Sequence, residues 1–140
     1  MSFDAIDQLL EKFELKKTDI RRRILQIFFN QSDSLTQADL IQKMSKNSQA
    51  PDRISLYRNL NQMKEVGLIH EVDVNQYVAC THDCSSHPHI LLFCKNCHRY
   101  SEIVDHKQVN QLMKSIAQFQ FFNSQSSVSL KGTCLKCQDA

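Results

Sequence analysis

An α+β chain in two parts is predicted by three features of this 140-residue sequence. Its first half carries four segments whose apolar residues recur at helical spacing. Two short strand-like runs then meet near Asn75. The second half is smaller, mixes strand runs with one more helical segment, and holds two Cys-x-x-Cys pairs. The composition is that of a globular protein, 41% hydrophobic with a formal net charge of +2. No run of about eighteen apolar residues occurs and the N-terminus is acidic, so neither a membrane span nor a signal peptide is expected, and the expected location is the cytoplasm. In that reducing compartment the six cysteines point to metal ligation rather than disulfides. Lys and Arg outnumber Asp and Glu by 11 to 9 in the first 70 residues and match them at 6 each in the last 70. That asymmetry is too slight to argue for a nucleic-acid partner, so motifs must carry the argument.

Phe3, Ile6, Leu9, Leu10 and Phe13 mark a first amphipathic helix. Thr18 is the expected N-cap of a second, with Ile20, Ile24, Ile27 and Phe28 inward. Arg21, Arg22 and Arg23 wrap its first turns, and a solvated face is the plain reading of such a run. Thr36 and Asp39 form a capping-box pattern opening a third helix with Leu40, Ile41 and Met44 inward. Asp52 caps a fourth, and Gly67 suits the left-handed position after its end. In this fourth helix Leu56, Leu60 and Met63 share one sector, while Ser55, Arg58 and Gln62 lie opposite with Tyr57 and Arg53 along an edge. Such a face suits phosphates and base edges, since Arg can reach guanine and Gln adenine.

Residues 68–74 and 76–80 read as a hairpin, and helices followed by a hairpin give the winged helix-turn-helix pattern. Residues 1–80 are therefore expected to form a winged-helix DNA-binding domain, 81–88 a hinge, and 89–140 a small α/β dimerisation and metal-binding domain. In the latter, 90–93 reads as a strand buried on both faces, 100–104 as a second strand and 128–130 as a third. Asp105 caps a helix bearing Val109, Leu112, Met113, Ile116 and Ala117, and 118–127 is a loop. About fifty residues bury too little core alone, so a staple or a partner subunit is needed.

Cys94, Cys97, Cys134 and Cys137 supply four thiolates as two knuckles, the pattern of a closed structural zinc site that ties the late chain back to the first strand of its domain. A second set draws on His70, Cys80, His87 and Glu102. If the hairpin turns near Asn75, paired positions sum to about 150, which sets His70 opposite Cys80 within one residue. With His87 from the hinge and Glu102 from the next domain, these close a four-ligand shell that would lock the domains together. His82, Cys84 and His89 are alternative ligands, though a lone His is more often structural. No His-Glu-x-x-His occurs, and no His-x-Glu paired with Pro-Cys-x-x-Cys. Shells of four protein ligands leave no position for water, so no catalytic residues and no small-molecule substrate are expected.

Over residues 15–137 the chain resembles the ferric uptake regulator superfamily of bacterial metal-dependent repressors. The resemblance rests on Thr18-Asp19-Ile20-Arg21-Arg22, Ile54-Ser55-Leu56-Tyr57-Arg58-Asn59-Leu60, Gly67-Leu68-Ile69 and the paired knuckles with Gly132 before the last. The zinc uptake regulator branch is the more similar. It resembles this chain in a His after Gly67-Leu68-Ile69 (His70), a Cys after a Tyr-Val step (Cys80), a His seven residues before the first knuckle (His87) and a Glu five after Cys97 (Glu102). The iron- and peroxide-sensing branches favour a His-x-His at the positions held here by His89 and Leu91. A thiolate in a four-ligand shell also favours zinc over six-coordinate ferrous iron. Departures are Ser55-Leu56 in place of Thr-Val, His98 in place of Gly, and Ser126 near a customary His, so a third metal site is not expected; Cys84 has no family role.

The resemblance implies a zinc-responsive, homodimeric transcriptional repressor with two Zn2+ per chain, one structural and one regulatory. It would bind palindromic double-stranded operator DNA and control zinc uptake genes. Tyr57 and Arg58 would make the central contacts, with Ser55, Gln62 and Arg53 beside them and Lys17, Arg21 and Arg22 anchoring phosphates. The alternative within the superfamily is an iron- or peroxide-sensing repressor using His82, Asp83, His87 and His89.

Overall fold

The computed structural model describes residues 2–31, 33–46, 49–79, 89–103, 105–121 and 127–139. Four helices begin the chain, and each starts where a side chain accepts an otherwise orphaned amide. In α1 (Phe3–Lys12) Ser2 Oγ accepts from Ala5 N–H, and in α2 (Asp19–Phe29) Thr18 Oγ1 accepts from Arg21 N–H. The capping box of α3 (Gln37–Ser45) is complete: Asp39 N–H donates to Thr36 Oγ1 at 3.0 Å and Thr36 N–H to Asp39 Oδ2 at 2.9 Å. Asp52 caps α4 (Arg53–Glu65), and Gly67 beyond it takes the left-handed φ of 84°. Ile6 and Leu10, Ile24, Leu25 and Phe28, Leu40 and Met44, and Leu56, Leu60 and Met63 meet in one core that Leu68 and Ile69 extend toward the next strand.

The wing is the antiparallel pair β1 (Ile69–Asp73) and β2 (Gln76–Ala79), turning through Val74 and a left-handed Asn75. Leu35 adds a rung, exchanging both backbone hydrogen bonds with Tyr77 at 2.9 and 2.8 Å. A register irregularity between Glu71 and Asp73 corrects the expected pairing: His70 lies opposite Val78, not Cys80, and Ile69 opposite Ala79. Cys80 itself lies outside the described residues, as do His82, Cys84 and His87.

A second sheet has the order β4-β3-β5, with β3 (His89–Cys94) central, antiparallel to β4 (Tyr100–Ile103) and parallel to β5 (Ser127–Gly132). Parallel pairing demands a long crossover, and α5 (His106–Gln118), capped by Asp105, lies within it. A short α6 (Leu135–Gln138) follows β5. Leu91 and Phe93 pack with Val72 and Val78 of the wing and with Tyr100, so the two sheets share an apolar cluster. The expectation that β3 is buried on both faces is corrected at Leu92, which is 40% exposed and helps line a cavity of about 610 Å³ with Leu130 and Leu135. The wing covers one face of β3; on the other, Ile90 and Cys94 are buried and only Leu92 between them is open.

Polar contacts border this seam. Lys131 Nζ lies 2.9 Å from Asp73 Oδ1 and holds that carboxyl below the usual carboxylate range. Buried Ser34 donates its N–H to the His98 carbonyl at 3.3 Å, and its hydroxyl lies 2.9 Å from the same oxygen and 2.8 Å from Gln76 Oε1. His98 adopts φ 63°, the left-handed region that suits glycine at that position. Leu91→Ala is expected to destabilise the protein by about 2–5 kcal/mol through transfer and cavity costs. Val74→Ala, at a site 85% exposed, should leave stability within about 0.5 kcal/mol of the parent. Denaturant unfolding of both variants checks this.

Candidate metal centres and nucleic-acid interface

The four knuckle cysteines come together as the sequence predicts. Cys94 ends β3, Cys97 lies in the turn that follows, and Cys134 and Cys137 bracket the start of α6. Their sulfurs all lie within 4.8 Å of one another, and Cys97 Sγ is 3.8 Å from Cys134 Sγ. A tetrahedral zinc with bonds of about 2.3 Å to sulfur spaces its ligands about 3.8 Å apart, so the donor set fits that ion. Backbone amides help: Cys134 N–H donates to Cys94 Sγ at 3.3 Å, and with the Cys97 amide it brings the Cys94 thiol down to about 6. Cys137 is pushed up to about 12, chiefly by its hydrogen bond with Cys134, because one more thiolate among close sulfurs is unfavourable without a cation.

At the opposite end of β3 a second group forms across the seam. His70 on β1 and His89 at the start of β3 are both buried, with ring centroids 5.9 Å apart. His89 Nδ1 meets the Glu102 carboxylate of β4 in an ion pair. Burial, and then the charge of His89, hold His70 down to about 4, so its imidazole is neutral and ligand-ready at neutral pH. Of the expected regulatory set, His70 and Glu102 are thus linked by way of His89, which the sequence offered only as an alternative. Cys80 and His87 lie outside the described residues.

The third candidate surface is α4. Tyr57 is 54% exposed and Arg58 and Arg53 are exposed, with no side-chain hydrogen bond from Tyr57 or Arg58 among the described residues. Ile54, which sequence reasoning passed over, points outward beside them at 67% exposure. Ser55 is occupied in the cap, its hydroxyl donating to Asp52 Oδ2 at 2.9 Å.

The Ferric uptake regulator family profile matches residues 12–130. The chain belongs to this family. It is accordingly a transcriptional regulator of the ferric uptake regulator family and not an enzyme. The Ferric uptake regulation protein of Staphylococcus aureus is 26% identical over 136 residues, covering 97% of each chain. Among solved structures, holo XcZur has 25% identity and a TM-score of 0.74, covering 99% of this chain and 97% of its own. The same protein in its apo form, also 25% identical, superposes with a TM-score of 0.53, covering 97% and 95%. A zinc uptake regulator complexed with zinc and DNA shares the fold at 19% identity and a TM-score of 0.74, covering 98% and 93%.

Within this family member the arginine run has an architectural task, which corrects the expected role of Arg21. Arg21 is 8% exposed. Its Nε donates to Asn59 Oδ1 at 3.1 Å, its Nη1 to the Lys16 carbonyl at 3.0 Å and its Nη2 to Gln62 Oε1. A guanidinium committed to three acceptors is a strut between α2 and α4, not a phosphate anchor, and it engages Gln62 from inside the protein. Arg22 makes a two-pronged pair with Asp7 of α1, and Arg23 donates to the Met44 carbonyl in the last turn of α3 and to the Gln49 carbonyl beyond it. Lys17 is paired with Glu11. Because Arg21→Met removes hydrogen bonds made by a charged donor, it should lower stability by about 2–3 kcal/mol in denaturant unfolding. Cys134→Ser should lower the metal bound per chain, measured by elemental analysis, and leave the α1–α4 core folded.

Proposed function

We propose that this regulator is a zinc-responsive homodimeric repressor that binds palindromic operator DNA when zinc occupies a site at the seam, and that it controls zinc uptake genes. The observation that carries this reading is the grouping of His70, His89 and Glu102 where the wing meets the β4-β3-β5 sheet. A metal held there by residues of both sheets favours their closed arrangement without touching DNA. A coupling of about 3 kcal/mol between closure and metal corresponds to about 150-fold in operator affinity. The chain's greater similarity to holo than to apo XcZur supports reading the closed seam as the metal-loaded arrangement.

Residues 1–80, 81–88 and 89–140 are the proposed winged-helix domain, hinge and dimerisation domain. The proposed regulatory shell remains His70, Cys80, His87 and Glu102, with His89 now added. In one arrangement His89 replaces His87 as the fourth ligand. In the other it is an outer partner that orients Glu102, as buried hydrogen-bonded neighbours of metal ligands commonly do. His82 and Cys84 stay outside the proposed shell. The four-cysteine set would hold a second, permanent zinc that substitutes for core in a small domain. The open face around Leu92 and Leu130 is the proposed two-fold interface, and α4 with Tyr57, Arg58 and Arg53 is the proposed reading element in each half-site.

Metal content per chain before and after a mild chelator, measured beside operator binding, tests this. Two zinc ions are expected, one of them removed together with DNA binding. His70→Ala and Cys80→Ser should fold and dimerise yet lose zinc-dependent binding; parent affinity in both, with or without chelator, would sink the sensor assignment. His89→Ala should lose the labile zinc if it is a ligand and only weaken it if it orients Glu102. The ferrous alternative is favoured by one observation, that the grouped seam residues supply nitrogen and oxygen donors. Anaerobic titration separates the two, because the alternative requires stronger activation of DNA binding by ferrous iron than by zinc.

A further inference from the structure

Ile54 stands in the first turn of α4, one helical turn before Tyr57 and Arg58, so the three side chains form one outward ridge at i, i+3 and i+4. Single exposed aliphatic residues are ordinary on protein surfaces. This one lies among the groups proposed to enter the major groove, where the N-terminal residues of a recognition helix meet base edges. Two of the three amides on the same helix, Asn59 and Gln62, are turned to Arg21, and the third, Asn61, lies two turns after Ile54. Gln62 Oε1 accepts from Arg21, Asn59 Oδ1 accepts from Arg21 Nε at 3.1 Å, and Asn59 Nδ2 donates to the Ser55 carbonyl at 2.8 Å. The Ser55 hydroxyl is held by Asp52. An adenine–thymine pair facing the first turn of α4 therefore meets no side-chain amide there, but it still presents the thymine C5 methyl, which an aliphatic side chain can recognise by contact.

We propose that Ile54 is a specificity-determining residue that packs on a thymine C5 methyl in each operator half-site. The proposal rests on the reading of α4 as the recognition helix. Arg58 would supply guanine recognition and charge beside it, and Ile54 the discrimination of thymine from cytosine, which lacks the methyl.

The test uses the full-length, zinc-loaded protein and duplexes it enriches from a randomised pool. Each thymine of the enriched half-site is replaced in turn by uracil, which removes the C5 methyl and nothing else. At one position the parent should lose about fourfold in affinity per half-site, the value expected for one methyl-sized contact. Ile54→Ser should bind the thymine duplex more weakly by a similar factor and show no uracil penalty at that position, whereas Ile54→Val should retain part of it. Because Ile54 is 67% exposed, thermal unfolding and metal content should match the parent. An undiminished uracil penalty in Ile54→Ser, or a parent indifferent to every replacement, overturns the inference. Arg58→Ala serves as the separate control: if it weakens binding while Ile54→Ser behaves as the parent, only the inference on Ile54 fails, and if it binds at parent affinity the reading of α4 fails with it.

Discussion

The contact of Leu91 and Phe93 on β3 with Val72 and Val78 on the wing is the interaction on which both halves of the molecule depend. A two-stranded ribbon is marginal by itself, and the β4-β3-β5 sheet has little core of its own. Each supplies the apolar face the other lacks. β3 then becomes a short beam between two polar groups, His89 with His70 and Glu102 at its start and Cys94 of the four-cysteine set at its finish. Six residues of strand separate these ends by about 17 Å, so the two groups share no side chain, although any tilt of β3 reaches both. Ser34 adds a local tie, since its contact with the His98 carbonyl joins the α2–α3 connection to the knuckle turn.

Much of this was legible in the sequence where the controlling physics is local. Thr18, Thr36 with Asp39, Asp52 and Gly67 mark helix ends because a cap needs only its own first or last turn. The four-cysteine set was legible because each knuckle fixes two ligands within four residues. The register of the wing was not, since the irregularity between Glu71 and Asp73 shifts every rung beyond it, and hydrophobic alternation does not reveal where an extra residue is accommodated. Nor could the apolar run 90–93 disclose that Leu92 alone of its four residues is left open, because that depends on what the rest of the fold delivers to each side.

The arginine run shows the same limit from the polar side. A charged stretch on a helix invites two readings, solvated face or phosphate contact, and the fold uses neither for Arg21. Its partners Asn59 and Gln62 are 38 and 41 residues away in sequence, and Asp7, the partner of Arg22, is 15 residues away. Three successive positions on a helix point about 100° apart, so adjacent arginines reach three different neighbours: α4, α1 and the C-terminal end of α3. His89 also rose in importance only through tertiary placement, when β1 brought His70 beside it and β4 brought Glu102.

The strut from Arg21 divides α4 into residues that hold the helix in place and residues that face away from the protein. Asn59 and Gln62 belong to the first class, and Arg53, Tyr57 and Arg58 to the second. Exchanges on an outward surface generally shift stability little, whereas loss of a buried charged hydrogen bond is costly. Mutation can therefore retune the outward positions in a diverging gene copy while the scaffold persists, and two paralogues can come to serve different promoters without either passing through an unfolded ancestor.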